Sequence, residues 1–500
     1  MSKQEYVICI LVSIGAFAFF ALGIDSWRFS FVGDSLHHYE FARQIVLKNF
    51  RVNPFSMHGV FGQERLQSSL LQALFMKIFG LSHISWRLAN VVTIIPAIFI
   101  FRSYLNREFK DSSLTLISII LLGSSYYLAN FFKIGYSHPT SFLLFLASLE
   151  ACSKVKDLPN KRNFFILGTL LGVSFYHYIG PIFPFILLPY IVSALFFQSD
   201  SLTESRARLC LSFFTPYITI IALSVLTEGG AGIAGALSKT TLNREFDDSQ
   251  QFFINIGRNF FVFWRSFDYW HNHFVAGPYL DLISGVLAVV GVSIAICKIG
   301  SDRNLSIFFY TWIALVCVIG LSNPYRYTPA TRGIFFIPFG VVFAALGLRA
   351  VREYAKPTLL VFMVVALNVY RSQIGVFNEV GINPHAHALH EILKLDRAVS
   401  EVIIWQPEKS WFFVDGLYYL TQLYGRPITL YSVRDRQALA LFSSQIPIFV
   451  VRNNKQSLVA DNNLSYEGHQ IVEIDSFTRA AFRFEFLQSK DNPVPIEVPF

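Results

Sequence analysis

Apolar residues in this chain gather into runs close to the roughly 20 residues a helix needs to cross a membrane. Eleven such runs are read from the sequence, at 5–24, 84–103, 112–131, 139–153, 163–179, 182–198, 208–227, 281–298, 305–321, 332–349 and 356–371. Those at 139–153 and 163–179 are short, and only the turn around Gly180-Pro181 separates 163–179 from 182–198. The polar gaps carry a second pattern. RSYLNREFK (102–110), SKVKDLPNKR (153–162), ESRAR (204–208), KIGSDR (298–303) and RAVREYAK (349–356) are basic and fall at every second connection. The positive-inside rule puts these five in the cytoplasm. The N-terminus is then cytoplasmic and the C-terminus outside, as are the loops at 25–83, 132–138, 228–280 and 322–331. The run at 5–24 is long for a signal-peptide core and no A-x-A site follows it, so it is read as an uncleaved signal anchor.

Helical periodicity recurs inside two outer loops. HHYEFARQIVLK and LQSSLLQALFMKIFG in the first, and QQFFINIGRNFFVFWRSF (250–267) in a later one, read as amphipathic helices suited to the interface. After about residue 372 the runs shorten. EVIIW (401–405), PITLY (427–431) and IPIFVV (446–451) read as buried strands, WFFVDGLYYLTQLYG (411–425) and SVRDRQALALF (432–442) as helices between them. EGHQIVEID and RAAFRFEFLQ read as a closing hairpin. Alternating strands and helices predict a small α/β domain with some parallel pairing. The expected architecture is an all-α polytopic membrane domain over 1–371, with about eleven transmembrane helices and interfacial helices in the first outer loop. A small extracytoplasmic α/β domain over 372–500 completes it.

Composition supports this. The 500 residues are 53% hydrophobic and only 15% charged. An average soluble domain has about 25% charged residues. In such a chain the formal charge of +8 is orientation charge and does not indicate nucleic acid. The five cysteines all lie in or at the ends of hydrophobic segments, without the spacing of a zinc or redox motif. GGAGIAGALSKT (229–240) lacks the Gly-Lys-Ser/Thr ending of a phosphate loop.

Titratable and aromatic residues crowd the outer connections. The first loop opens with Asp34, His37, His38, Tyr39 and Glu40, and holds Glu64 and Arg65 further on. The turn at 131–142 adds Lys133, Tyr136 and His138, and YHYIGP (176–181) adds His177 and Tyr178. RSFDYWHNH (265–273) adds Arg265, Asp268, His271 and His273, and NPYRYTPATR (323–332) adds Arg326, Tyr327 and Arg332. Each type has an ordinary reading: exposed or interfacial histidines, an aromatic belt, solvated faces for Glu40 and Glu64. Arg326 and Arg332 read equally as interfacial anchors or, because they stand against the inside bias for cations, as functional groups. His37 and His38 are adjacent, not i,i+4, so they do not form a zinc pair on one helix face. HNH at 271–273 lacks a nuclease's surrounding pattern.

DSLHHYEFA after the first span, and the interfacial helices ending GLSHISWRLANVV (80–92), resemble the membrane-embedded C-type glycosyltransferases. The likeness is to the family-39-like branch with dolichyl-phosphate-mannose protein mannosyltransferases and bacterial aminoarabinose transferases. FKIGYSHPTSFLLFLASLEA (132–151), DYWHNHFVAGPYLDLISGVLAVVGV (268–292) and YRYTPATRGIFFIPFGVVFAALGL (325–348) resemble its later outer turns, over about residues 1–350. Ser35 stands where the family often has a second acid, and His138 at about the position of its usual Asp.

The resemblance implies transfer of a sugar from a polyprenyl-phosphate carrier to an acceptor at the outer face, in a bacterial inner membrane. Such chemistry needs a carboxylate to take the acceptor proton and cations for the leaving phosphate. Asp34 is the expected base, with Lys133, Arg326 and Arg332 on the phosphate. His37, His38, Tyr39, Glu64, Tyr136, His138, His177, Tyr178, Asp268, His271 and Tyr327 are expected around the substrates. No cofactor is expected, since a neutral histidine in the second acid's place does not suit a hard divalent ion. A flippase or transporter, and a binder of lipid-linked sugar without catalysis, are the alternatives.

Overall fold

The structure, a computed structural model, describes residues 3–25, 35–53, 66–196, 205–228, 249–260, 278–322, 330–352, 356–372, 384–406, 425–439, 441–443, 445–452, 471–475 and 486–487, with single positions between. Two compact units make up the chain: Met1–Ile24 with His37–Ile374, and Asp25–Leu36 with Gly375–Phe500.

The first unit is helical. In chain order its helices are α1 (Lys3–Ala21), α2 (Ser35–Leu47), α3 (Leu66–Phe79), α4 (His83–Val92), α5 (Ile94–Phe109), α6 (Ser112–Gly123), α7 (Tyr126–Lys133) and α8 (His138–Asp157). There follow α9 (Lys161–Ser174), a 3-10 turn (Gly180–Ile182), α10 (Phe183–Ile186), α11 (Leu188–Phe196), α12 (Arg206–Glu228) and α13 (Ser249–Phe260). The rest are α14 (Leu282–Cys297), α15 (Arg303–Ser322), α16 (Ala330–Gly333), α17 (Ile337–Ala350) and α18 (Pro357–Tyr370). Each apolar run read from the sequence forms helix, as do the amphipathic stretches at α2, α3 and α13. Four helices among the described residues are long and apolar enough to cross a membrane: His83–Phe109, Arg206–Leu223, Arg303–Leu321 and Thr331–Ala350. The pair α6–α7, bent by 43°, is a fifth if it is one span.

Local chemistry explains where runs depart from single helices. At the α6–α7 bend, Ser125 takes extended backbone angles and its side chain accepts from Leu128 N, so a new helix starts there. The run at 163–179 stops being helical after Ser174, and that at 182–198 breaks again at Leu187. Helices that share lipid as solvent gain little from apolar burial alone and pack closely through small residues. α14 and α17 meet in this way. A Cβ on Gly291 would lie 1.8 Å from the Phe343 carbonyl oxygen, and one on Gly347 2.0 Å from that of Leu287.

At the basic-loop ends of α5, α8 and α15 lies a buried ionic network. Lys156 Nζ donates to Glu108 Oε1 (2.8 Å) and to Asn304 Oδ1 (2.7 Å), Ser153 Oγ donates to Glu108 Oε2 (2.9 Å), and Asn304 Nδ2 donates to the Glu108 carbonyl (2.8 Å). Between this network and the other end of α8 the core is aromatic. Phe145 meets Phe183, Phe335 and Phe339 at centroid distances of 5.1, 5.4 and 6.3 Å.

The second unit holds a five-stranded sheet: β1 (Glu401–Trp405), β2 (Thr429–Val433), β3 (Ile448–Arg452), β4 (Ile471–Asp475) and β5 (Phe486–Leu487), in the order β2-β1-β3-β4-β5. The first three pairings are parallel, with Ile403 opposite both Tyr431 and Ile448. β4 and β5 pair antiparallel, as the closing hairpin expected from the sequence. A central parallel strand is covered on both faces, which accounts for the unbroken apolar character of EVIIW. Ile403, Trp405, Val433, Leu439, Ile448 and Val450 form the core, Leu439 coming from α20 (Arg436–Leu439), which follows α19 (Pro384–Lys394) in the chain. Arg426 Nη1 donates to the Ile392 carbonyl (2.6 Å) and to the Leu395 carbonyl (2.7 Å). It thereby satisfies the C-terminal end of α19. The Tyr431 hydroxyl donates to Glu401 Oε1 (2.8 Å). This bond holds the phenol above its ordinary pKa. The helix expected at 411–425 lies mostly outside the described residues.

Candidate functional site

The turn between α7 and α8 is the centre of the site, and its backbone is held from three sides. Gly135 has φ +94, a conformation that suits glycine, and a Cβ there would come within 2.2 Å of the Trp86 ring. Gln72 Nε2 donates to the Gly135 carbonyl (2.8 Å) and to Asn90 Oδ1 (3.1 Å), and Asn90 Nδ2 donates to the Tyr136 carbonyl (2.7 Å). From α2, His38 Nδ1 accepts from the Ser137 backbone N–H (3.4 Å), which puts any proton of a neutral ring on Nε2. Tyr39 packs edge-on against Trp86 at 5.4 Å.

His138 opens α8 and is fully buried. Its ring lies 5.7 Å from that of His38, 5.1 Å from Tyr136 and 3.9 Å from Tyr178. His38 and Tyr136 are 4.7 Å apart. Among the described residues neither ring nitrogen of His138 has a hydrogen-bond partner. Tyr178 extends the cluster to α16, its hydroxyl 3.1 Å from Thr331 Oγ1. The next residue, Arg332, is buried, as is Lys133 at the end of α7. The Tyr178 segment is tightly bent. Ile179 adopts φ +50, costly for a β-branched side chain. A Cβ on Gly180 would fall 1.6 Å from the Ser174 carbonyl oxygen. Strain of this kind, worth about 1–3 kcal/mol, persists where surrounding packing enforces it and is a mark of functional sites.

The structure thus brings together His38, Tyr136, His138 and Tyr178, from segments up to 140 residues apart, and seats Thr331 against Tyr178, with Arg332 next in the chain. His177 is buried next to Tyr178 in the chain. The reading of the histidines as solvent-exposed is corrected for His38, His138 and His177, all enclosed by packed helices. Glu40 is half-buried and bonded to Arg43 (3.1 Å) and Gln44 (2.6 Å) on its own helix. Asp34, Glu64, Asp268, His271, Arg326 and Tyr327 lie outside the described residues, and of His37 the structure describes only its helical backbone. Gln72, Asn90 and Trp86, which fix the central turn, were missed by the sequence reading. The available signal was two amides on amphipathic helices, with a glycine in KIGYSHP further along the chain. Among the described residues no three His, Cys, Asp or Glu side chains form a metal-binding group.

The cluster is thus a buried set of aromatic rings around an imidazole whose two nitrogens have no hydrogen-bond partner among the described residues. Aromatic rings of this kind can stack on an apolar ring face, and an imidazole can hydrogen-bond a hydroxyl.

No family profile matches this sequence, and no curated protein sequence does. Among solved structures, the crystal structure of the Archaeoglobus fulgidus oligosaccharyltransferase in complex with Zn and sulfate is similar at a TM-score of 0.48 and 11% identity, over 86% of this chain. This chain spans 62% of the length of that one. A likeness at that level does not assign an activity.

Proposed function

We propose that this protein is a membrane glycosyltransferase that moves a sugar from a polyprenyl-phosphate donor to an acceptor at the outer face of the membrane. The convergence of His138, Tyr136, Tyr178 and His38 next to Thr331–Arg332 carries the reading. In it the aromatic rings stack on the donor sugar and the free imidazole nitrogens of His138 bind its hydroxyls. Arg332, with Lys133 and Arg326, faces the phosphate, whose charge grows as the anomeric bond breaks. Asp34 takes the acceptor's proton as its oxygen attacks the anomeric carbon. The lipid tail must stay in hydrocarbon, so a site at the end of the helical bundle suits a lipid-linked substrate.

The test uses the purified chain reconstituted in liposomes with radiolabelled polyprenyl-phosphate sugars. Release or transfer of label is expected with at least one sugar. In the Arg332→Ala variant donor binding weakens and turnover falls together, because the contact exists in the ground state and strengthens in the transition state. Binding and turnover of Arg332→Ala equal to the parent would remove Arg332 from the phosphate site. Absence of label release with every sugar, from protein that stays folded, would overturn the activity.

A further inference from the structure

α13 runs down the side of α15, and its contacts fix the direction. A Cβ on Gly320, near the end of α15, would lie 3.0 Å from Ile256 Cγ1 and 3.4 Å from the Ile256 backbone nitrogen. One turn on, Asn259 Nδ2 donates to the Val316 carbonyl (3.2 Å), and Phe260 meets Trp312 at a centroid distance of 4.9 Å. Phe263 then stacks against Trp312 at 6.1 Å and lies 6.5 Å from Phe343 of α17. A Cβ on Gly340 of α17 would come within 2.6 Å of Phe263 Cε1. As the chain advances from Ile256 to Phe263, its partners on α15 step back from Gly320 to Trp312.

That path has a depth. Trp312 is nine residues from either end of the spanning helix Arg303–Leu321, and Gly340 is nine from one end and ten from the other of Thr331–Ala350. At about 1.5 Å per residue, Phe263 sits about 14 Å from both ends of each, at the middle of two spans. α13 starts on the side of Gly320, the end of α15 away from the basic KIGSDR, which by the positive-inside rule is the outer end. Its 12 residues rise about 18 Å, close to the roughly 15 Å of one leaflet of a roughly 30 Å hydrocarbon core. The chain is back at the outer end by Asp281, the cap of α14, whose other end carries KIGSDR.

The polarity of α13 is also reversed. Asn255 and Asn259 are 2 and 0% exposed, while Phe253 and Ile254 are 70 and 45% exposed. A helix lying flat at the interface, as the sequence reading expected, would turn its polar face to headgroups and water. In α13 the asparagines are buried in the bundle, one on a backbone carbonyl of α15, and the apolar residues point away from it. Close approach at a glycine with an interhelical amide bond is how helices pack when lipid is their solvent. We propose that α13 is the descending arm of a re-entrant hairpin. The hairpin enters the membrane from the outer face, reaches the midplane at Trp312 and Gly340, and lays its Phe253–Ile254 face against outer-leaflet hydrocarbon. Depth and reversed polarity together select hydrocarbon over water or headgroups as the medium on that face. The inference goes beyond the glycosyltransferase reading and does not depend on it.

The experiment is spin-label EPR on the full chain in phosphatidylcholine liposomes, with its five native cysteines replaced. Single labels are attached at Phe253→Cys and Gly257→Cys, one turn apart on the face opposite Asn255 and Asn259. A Cβ at Gly257 meets nothing within 4 Å, so the label has room. Access of oxygen, which concentrates in hydrocarbon, is compared with access of a water-soluble nickel chelate. Oxygen should exceed the chelate at both positions, and Gly257→Cys should read about 6 Å deeper than Phe253→Cys. Should Phe253→Cys fail to insert, Ile254→Cys takes its place, with an expected difference of about 4.5 Å. Equal depths would make α13 a flat interfacial helix and overturn the hairpin. Greater access of the chelate at Gly257→Cys would put that face on a water-filled path and overturn the hydrocarbon contact.

Discussion

His138→Phe separates a functional histidine from a structural one, because the two predict opposite changes in stability. The imidazole is fully buried and neither nitrogen is hydrogen-bonded among the described residues. Each unsatisfied buried polar group costs about 1–3 kcal/mol. Phenylalanine removes both and keeps an aromatic ring against Tyr178 at 3.9 Å and Tyr136 at 5.1 Å. Its extra volume costs about 1–3 kcal/mol in a packed site. The two groups together are worth about 2–6 kcal/mol, so the balance runs from a loss of about 1 to a gain of about 5 kcal/mol and is centred on a gain. Thermal unfolding in detergent should therefore give a midpoint equal to or above the parent's. Turnover of the lipid-linked donor should fall by roughly 10²–10³, the loss typical of removing one preorganised polar contact. His138→Gln, which retains a donor and an acceptor, should recover part of it. The reasoning fails if His138→Phe turns over within a few-fold of the parent, or unfolds at a much lower temperature. Either result would make the ring a packing element.

Asp34→Asn should cut turnover by about 10²–10⁴ with donor binding intact, while Glu40→Gln and Glu64→Gln stay near the parent; equal effects of all three in a side-by-side kinetic assay would remove Asp34 as the base. In the buried Glu108–Lys156 network, Lys156→Met should destabilise by about 3–5 kcal/mol because it strands the buried Glu108 carboxylate. Glu108→Gln should cost less, since Lys156 keeps Asp157 at 3.7 Å, and equal melting shifts would contradict that asymmetry. A periplasm-active reporter fused after Phe500 should be active and a cytoplasm-active one silent, and the reverse would invert the assigned orientation.

The helices were legible because a membrane span is the strongest pattern a sequence can carry: about twenty apolar residues with their backbone bonds satisfied internally. The parallel strands were legible for a related reason, EVIIW and IPIFVV being apolar on both faces. Less legible was where a run breaks. The bend at Ser124-Ser125 depends on one hydroxyl choosing a cap over a solvent-facing position, and hydropathy does not register that choice. Part of the candidate site was legible as residue types gathered in the connections between apolar runs. Its contacts were not, because His38, Tyr136, His138 and Tyr178 meet only after separate helical segments pack. Gln72 and Asn90 were missed because their role is to hold a backbone carbonyl, and no local motif encodes a carbonyl 46 or 63 residues away.

What lies between the two ends of α8 gives a test that separates an enzyme from a transporter. His138 and Lys156 are separated by about 27 Å at about 1.5 Å per residue. A transporter would have to open a path along that length. In this chain the interval is closed by rings: Phe142 and Phe145 on α8 meet Phe335 at 6.2 and 5.4 Å, and Phe183 meets Phe335 at 5.7 Å. Side chains packed at such density rearrange only together, so alternating access would require the whole aromatic layer to part. An enzyme working at one end needs no such motion. Phe145→Cys with Phe335→Cys, in a chain with its five native cysteines replaced, can be bridged by a short bifunctional thiol reagent. Bridged protein should bind and turn over the lipid-linked donor within a few-fold of the unbridged form. Loss of activity on bridging, restored by cleaving the linker, would show that the layer must open and would move the assignment to a transporter.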